Sequence, residues 1–67
     1  MIKLTPVDSS AIAKVGYEND NVTIEFNNGR TYRYYDVSED VYEDLLNAPS
    51  VGKYFAENFG SYSYVEI

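Results

Sequence analysis

Arg30, Arg33 and Tyr35 stand close together in the chain, interleaved with Tyr32 and Tyr34, and a Ser50-x-Gly52-Lys53 cluster follows further on. Cations set among aromatic rings suit a nucleotide or single-stranded nucleic acid, because rings stack on bases while guanidinium groups bond phosphates and base edges. The same residue types are also enriched where proteins meet. The Ser50 cluster has the composition of a helix start, where free N–H groups, a hydroxyl and a lysine can hold a phosphate or carboxylate. A serine in that place also serves as a plain cap, and Gly52, costly inside a helix, points to close packing or to close approach of a ligand.

Other chemistry has few tools here. The 67 residues include no histidine and no cysteine, which removes imidazole bases, thiolate nucleophiles, disulfides and zinc sites built on those ligands. No Ser, Lys and carboxylate fall at a catalytic spacing, so the expectation is a non-enzymatic protein with no cofactor and no metal. Glu39, Asp40, Glu43 and Asp44 lack the spacing of a calcium loop and read as the solvated face of a helix. Their mutual repulsion costs only a few tenths of a kcal/mol there.

Net charge is −6, and the stretch from Asp36 to Asp44 holds five acids and no base. That balance disfavours broad, non-specific attachment to a phosphate backbone and leaves room for a local anion site. No apolar run approaches the ~20 residues that span a bilayer, and the start of the chain has no signal-peptide core. The expected setting is therefore cytoplasmic, with no membrane contact.

The elements that must position these groups follow from the hydrophobic pattern. Ile2 and Leu4 alternate with Lys3 and Thr5 up to Pro6, the mark of a short first strand or extended arm. Ala11, Ala13, Val15 and Tyr17 alternate with polar positions, with Ile12 out of phase, and Val22, Ile24 and Phe26 form a half-buried strand. A hairpin through Glu18-Asn19-Asp20-Asn21 sets Tyr17 opposite Val22, Val15 opposite Ile24 and Ala13 opposite Phe26. After Asn27-Asn28-Gly29, a three-residue loop with Gly29 left-handed pairs Phe26 with Arg30, Ile24 with Tyr32 and Val22 with Tyr34.

This register turns Tyr32 and Tyr34 toward the apolar face, as core with hydroxyls at the rim, rather than outward as stacking platforms. Arg33 and Tyr35 fall on the other face with Thr23, Glu25 and Thr31, either as a contact surface or as incidental cross-strand neighbours. Ser38 caps a helix carrying Val41, Tyr42, Leu45 and Leu46 inward. Ala48-Pro49 ends it, and Ser50 caps a second helix over Val51, Tyr54 and Phe55, reaching toward Phe59. The tail Ser61–Ile67 reads as a last strand or an ordered coil. The whole is a single α+β domain over residues 1–67: a small antiparallel three- or four-stranded meander, a helical pair and a short C-terminal extended segment.

Ser9-Ser10 with Ile12, Gly16-Tyr17, Phe26 with Asn28-Gly29, Tyr32-Arg33-Tyr34-Tyr35-Asp36-Val37, and Ala48-Pro49-Ser50-Val51-Gly52-Lys53-Tyr54 together resemble the KTSC domain. That short bacterial and phage domain, with its central Tyr-x-Tyr motif, is seen alone and at the carboxyl end of some lysyl-tRNA synthetases. The resemblance covers Val7 to Phe59 and implies RNA binding as the family's suggested role. Two departures stand out: Ser38 where many relatives have proline, and a tail without the basic residues they tend to carry.

Two readings of function follow. One is a binding module that engages a nucleic acid or nucleotide through Arg30, Arg33, Tyr35, Ser50, Gly52 and Lys53. The alternative is a protein-interaction or homo-oligomerising module, with Tyr62 and Tyr64 at a two-fold axis or the acidic helix against a host factor of a phage-type protein.

Overall fold

In the computed structural model, which describes residues 3–67, five strands and two helices follow the chain. They are β1 (Thr5–Pro6), β2 (Ile12–Glu18), β3 (Asn21–Phe26), β4 (Thr31–Tyr34), α1 (Glu39–Asn47), α2 (Val51–Asn58) and β5 (Tyr64–Glu66). The strands make one antiparallel sheet in the order β1-β2-β3-β4-β5. The α+β arrangement is the expected one, and the amino-terminal segment and the tail bring the strand count to five. Ile2, expected in the first strand, lies outside the described residues; the ladder itself falls on Thr5 and Pro6.

Both hairpins are built by residues that tolerate a left-handed backbone. Asn19 and Asp20 have φ of 52° and 63°, and this two-residue loop brings Tyr17 opposite Val22. Gly29, at φ 89°, closes the three-residue loop, where the Phe26 N–H donates to the Arg30 carbonyl over 2.8 Å. The pairs Ile24 with Tyr32 and Val22 with Tyr34 follow as expected.

One pairing differs. Phe26 stands opposite Ile12, not Ala13, because the register shifts between Ile12 and Lys14 and leaves Ala13 as an extra residue in a β-bulge. The bulge resolves the out-of-phase isoleucine: Ile12 is buried in the core and Ala11 is exposed. The Ser9 hydroxyl secures the entry, accepting from the Ala11 and Ile12 N–H groups at 3.2 Å each.

Asp36, at φ 58°, turns the chain out of β4, and the buried Val37 donates its N–H to the Asp20 carbonyl at 2.8 Å. Ser38 and Ser50 cap α1 and α2, accepting from the N–H groups of Val41 and Lys53. Both helices cover the same face of the sheet. Tyr42 of α1 stacks on Tyr17 of β2 at 5.3 Å and donates to the Val15 carbonyl, while Phe55 of α2 meets Phe26 and Tyr34. Leu45 is fully buried but Leu46 is 37% exposed, so the inward stripe of α1 is narrower than its sequence implies. Ile12, Val15, Val22, Ile24, Val37, Leu45 and Phe59 have no more than 1% of their surface exposed. Burying each such side chain contributes about 1.5–3 kcal/mol.

Candidate functional site

At the end of the sheet nearest the second hairpin, the helix side of the sheet opens into a groove of about 470 Å³. Phe26, Tyr32, Tyr34, Tyr64 and Phe55 provide its rings, and Asn28 and Arg30 stand on its wall. Strand alternation explains the set. Phe26, Tyr32 and Tyr34 project to one face because they sit at even spacing on paired strands, and β5 adds Tyr64 beside Tyr34.

Contact geometry makes this an aromatic wall. Phe26 meets Tyr32 edge-on at 5.7 Å and Phe55 at 5.5 Å. Tyr64 lies 5.4 Å from Tyr34 at 31° and 5.8 Å from Tyr32. Tyr34 is buried, Tyr32 half-buried, and Tyr64 58% exposed, so the wall grades from core to open water. Burial, reinforced by the neighbouring Tyr64 and Tyr32 hydroxyls, pushes the Tyr34 hydroxyl above its ordinary pKa. Tyr34 therefore keeps a neutral hydroxyl at physiological pH. Arg30 is exposed and makes no ion pair among the described residues; the Asn28 side-chain oxygen holds its backbone N–H at 3.0 Å. A guanidinium beside unsaturated ring faces can bond an oxyanion or a base edge while a planar group stacks next to it.

The expected site residues do not form one surface. Arg30 stands with the rings, as its pairing with Phe26 requires. Arg33 lies on the other face, opposite Thr23 and Val65, where a polar hollow of about 210 Å³ is lined by Glu18, Asn19, Asn21, Thr23 and Arg33. Thr23 is 2% exposed there, and its hydroxyl has no hydrogen-bond partner among the described residues. Tyr35 is half-buried, and its N–H joins the ladder to the Ser63 carbonyl at 2.9 Å. Ser50 and Lys53 line a third hollow of about 240 Å³ with Pro49, Tyr54 and Glu57.

Gly52 has a packing reason. A methyl group there would stand 3.3 Å from the Ser9 Oγ and 3.8 Å from the Ala11 methyl, because α2 passes closely over the bulge entry. The acids of α1 are exposed, and no group of three or more potential ligands among the described residues could hold a metal ion.

Phe26, Asn28 and Phe55 are not among the expected site residues, and Tyr64 is expected only at a two-fold contact between copies. The first and third read as core, and Tyr64 enters only because the tail pairs with β4.

The family model of the KTSC domain matches residues 8–64. The chain belongs to the KTSC domain family. This KTSC domain superposes on the crystal structure of a KTSC domain protein from Yersinia pestis with a TM-score of 0.94, at 30% identity, over 100% of this chain and 99% of that one. It is 42% identical over 53 residues to a protein of Tsukamurella paurometabola, covering 76% of this chain and 79% of the relative. A lysine–tRNA ligase of Nostoc punctiforme is 44% identical over 50 residues, which is 72% of this chain and only 9% of the ligase. The family match reaches Tyr64, five residues beyond the span its sequence motifs mark, and so takes in the first residue of β5.

Proposed function

We propose that this KTSC domain is a non-catalytic, cytoplasmic binding module that takes an unpaired base of RNA, or a free nucleotide, in the aromatic groove. The observation that carries the reading is the juxtaposition of Arg30, without an acidic partner among the described residues, with the graded wall of Tyr64, Tyr32 and Phe26. A base stacked on Tyr64 or Tyr32 contributes about 1–3 kcal/mol whatever its identity. Arg30 and Asn28 add hydrogen bonds to its edge or its phosphate. Affinity is modest, since the net charge of −6 opposes a polyanion and a single groove offers little else. The lysine–tRNA ligase relative, named for a tRNA substrate, supports RNA as the polymer. Nothing in the groove pairs a nucleophile with a base, which supports binding without catalysis.

Titration of short single-stranded RNAs and of nucleotides, followed by the ring resonances of Tyr32, Tyr64 and Phe26, tests the reading. Selective shifts of these rings that disappear in Arg30→Ala support it. Unmoved rings at millimolar ligand and low salt sink it.

A further inference from the structure

The two edges of the sheet are protected very differently. β1 is only two residues long and ends in Pro6, which has no N–H to offer a new strand. β5 has no proline, lysine or bulge within it; its register with β4 is regular, and Glu66 is its one charge. Around it Tyr64, Val65 and Ile67 are 58%, 44% and 54% exposed, three of the four exposed large apolar side chains among the described residues.

The backbone of this edge can be assigned from the ladder. Tyr35 donates to Ser63 and Ile67 donates to Thr31, so the bonded partners are Tyr35 with Ser63, Arg33 with Val65 and Thr31 with Ile67. In an antiparallel pair the intervening residues turn their N–H and C=O groups away from the partner strand. Tyr64 and Glu66 therefore point two donors and two acceptors outward from the sheet.

We propose that β5 pairs antiparallel with β5 of a second copy of this chain, joining two five-stranded sheets into one of ten strands. The strand is self-complementary in one register. Centring the two-fold axis on Val65 sets Val65 against its own copy and each Tyr64 against the partner's Glu66, so four backbone hydrogen bonds form and all three residues of β5 are used. Sliding by two residues in one direction opposes Glu66 to its copy, a like-charge pair. Sliding in the other direction leaves Glu66 outside the strand-to-strand ladder. Four of the acids, Glu39, Asp40, Glu43 and Asp44, lie far from this axis on α1, which packs over β2, three strands away. A three-residue ladder is small against the ~1,200 Å² of a stable complex, so the dimer is weak and forms at about 0.1–1 mM.

Amide hydrogen exchange and translational diffusion of the whole chain, at about 0.05 and 2 mM, test this without any RNA present. The expected result is a mass approaching twice that of the chain at the higher concentration, with protection gained at the Tyr64 and Glu66 amides. Two variants act at the edge by different means. Val65→Lys places like charges at the axis, and Glu66→Pro removes one outward donor while leaving the bonds to β4. Each raises the dissociation constant by at least about tenfold, and should Val65→Lys lose the β4 pairing by circular dichroism, Glu66→Pro alone decides. A monomer at 2 mM overturns the proposal, as does a dimer that leaves these two amides unprotected or survives in the folded variant.

Discussion

Gly52 passes over Ser9 so closely that a Cβ on the glycine would stand 3.3 Å from the serine Oγ. That oxygen cannot easily retreat, because the Ala11 and Ile12 N–H groups both donate to it and fix the bulge entry. In an exposed helix, glycine to alanine gains about 1 kcal/mol. Here Gly52→Ala instead lowers stability by about 1 kcal/mol, because crowding a packed contact costs more than the propensity returns. Urea denaturation checks it; a variant more stable than the parent shows that the loop yields.

Adjacent leucines of α1 differ sharply in cost. Leu45→Ala removes a fully buried side chain and lowers stability by about 2–5 kcal/mol, comparable to the ~3–5 kcal/mol that a core of this size supplies. Leu46, 37% exposed, loses less than about 1 kcal/mol on the same change. Thermal melts of the two variants separate them. Equal losses would mean α1 is rotated from its described position.

Groove and outer face are separable by substitution. Arg30→Ala and Tyr64→Ala weaken nucleotide or RNA binding by about fivefold or more, on the scale of a lost stacking or charged contact. Arg33→Ala and Lys53→Ala, which lie outside the groove, change it less than twofold. Uniform loss across all four, scaled by salt alone, would point instead to diffuse charge.

Alkaline pH destabilises the domain through its tyrosines. Burial raises the Tyr34 and Tyr42 hydroxyls above the ordinary value of 10.0, while the unfolded chain ionises at that value. The folded state then binds more protons than the unfolded state above pH 10, so stability is whole below about pH 10 and falls as pH rises through the shifted pKa values. Melting temperature across pH 8 to 11.5 (roughly the span of that titration) should hold level and then drop. Tyr34→Phe and Tyr42→Phe each soften the drop; a flat profile in the parent chain excludes the linkage.

The local grammar of the chain determined much of this molecule. Alternation at Val22, Ile24 and Phe26, with Gly29 free to adopt φ 89°, was enough to place Tyr32 and Tyr34 on the core face, because a slip of one residue reverses every side chain of a strand. Ser38 and Ser50 announced both helices, since a cap is chosen by the few residues around it. Tertiary structure alone decided the bulge at Ala13, where burial of Ile12 outweighed strict alternation, and the docking of the tail on β4 across the intervening helices. It also opened the aromatic groove beside Arg30, whose separation from Arg33 followed already from the strand register. Contacts between residues distant in sequence depend on how elements pack, and no periodicity within a single element encodes that.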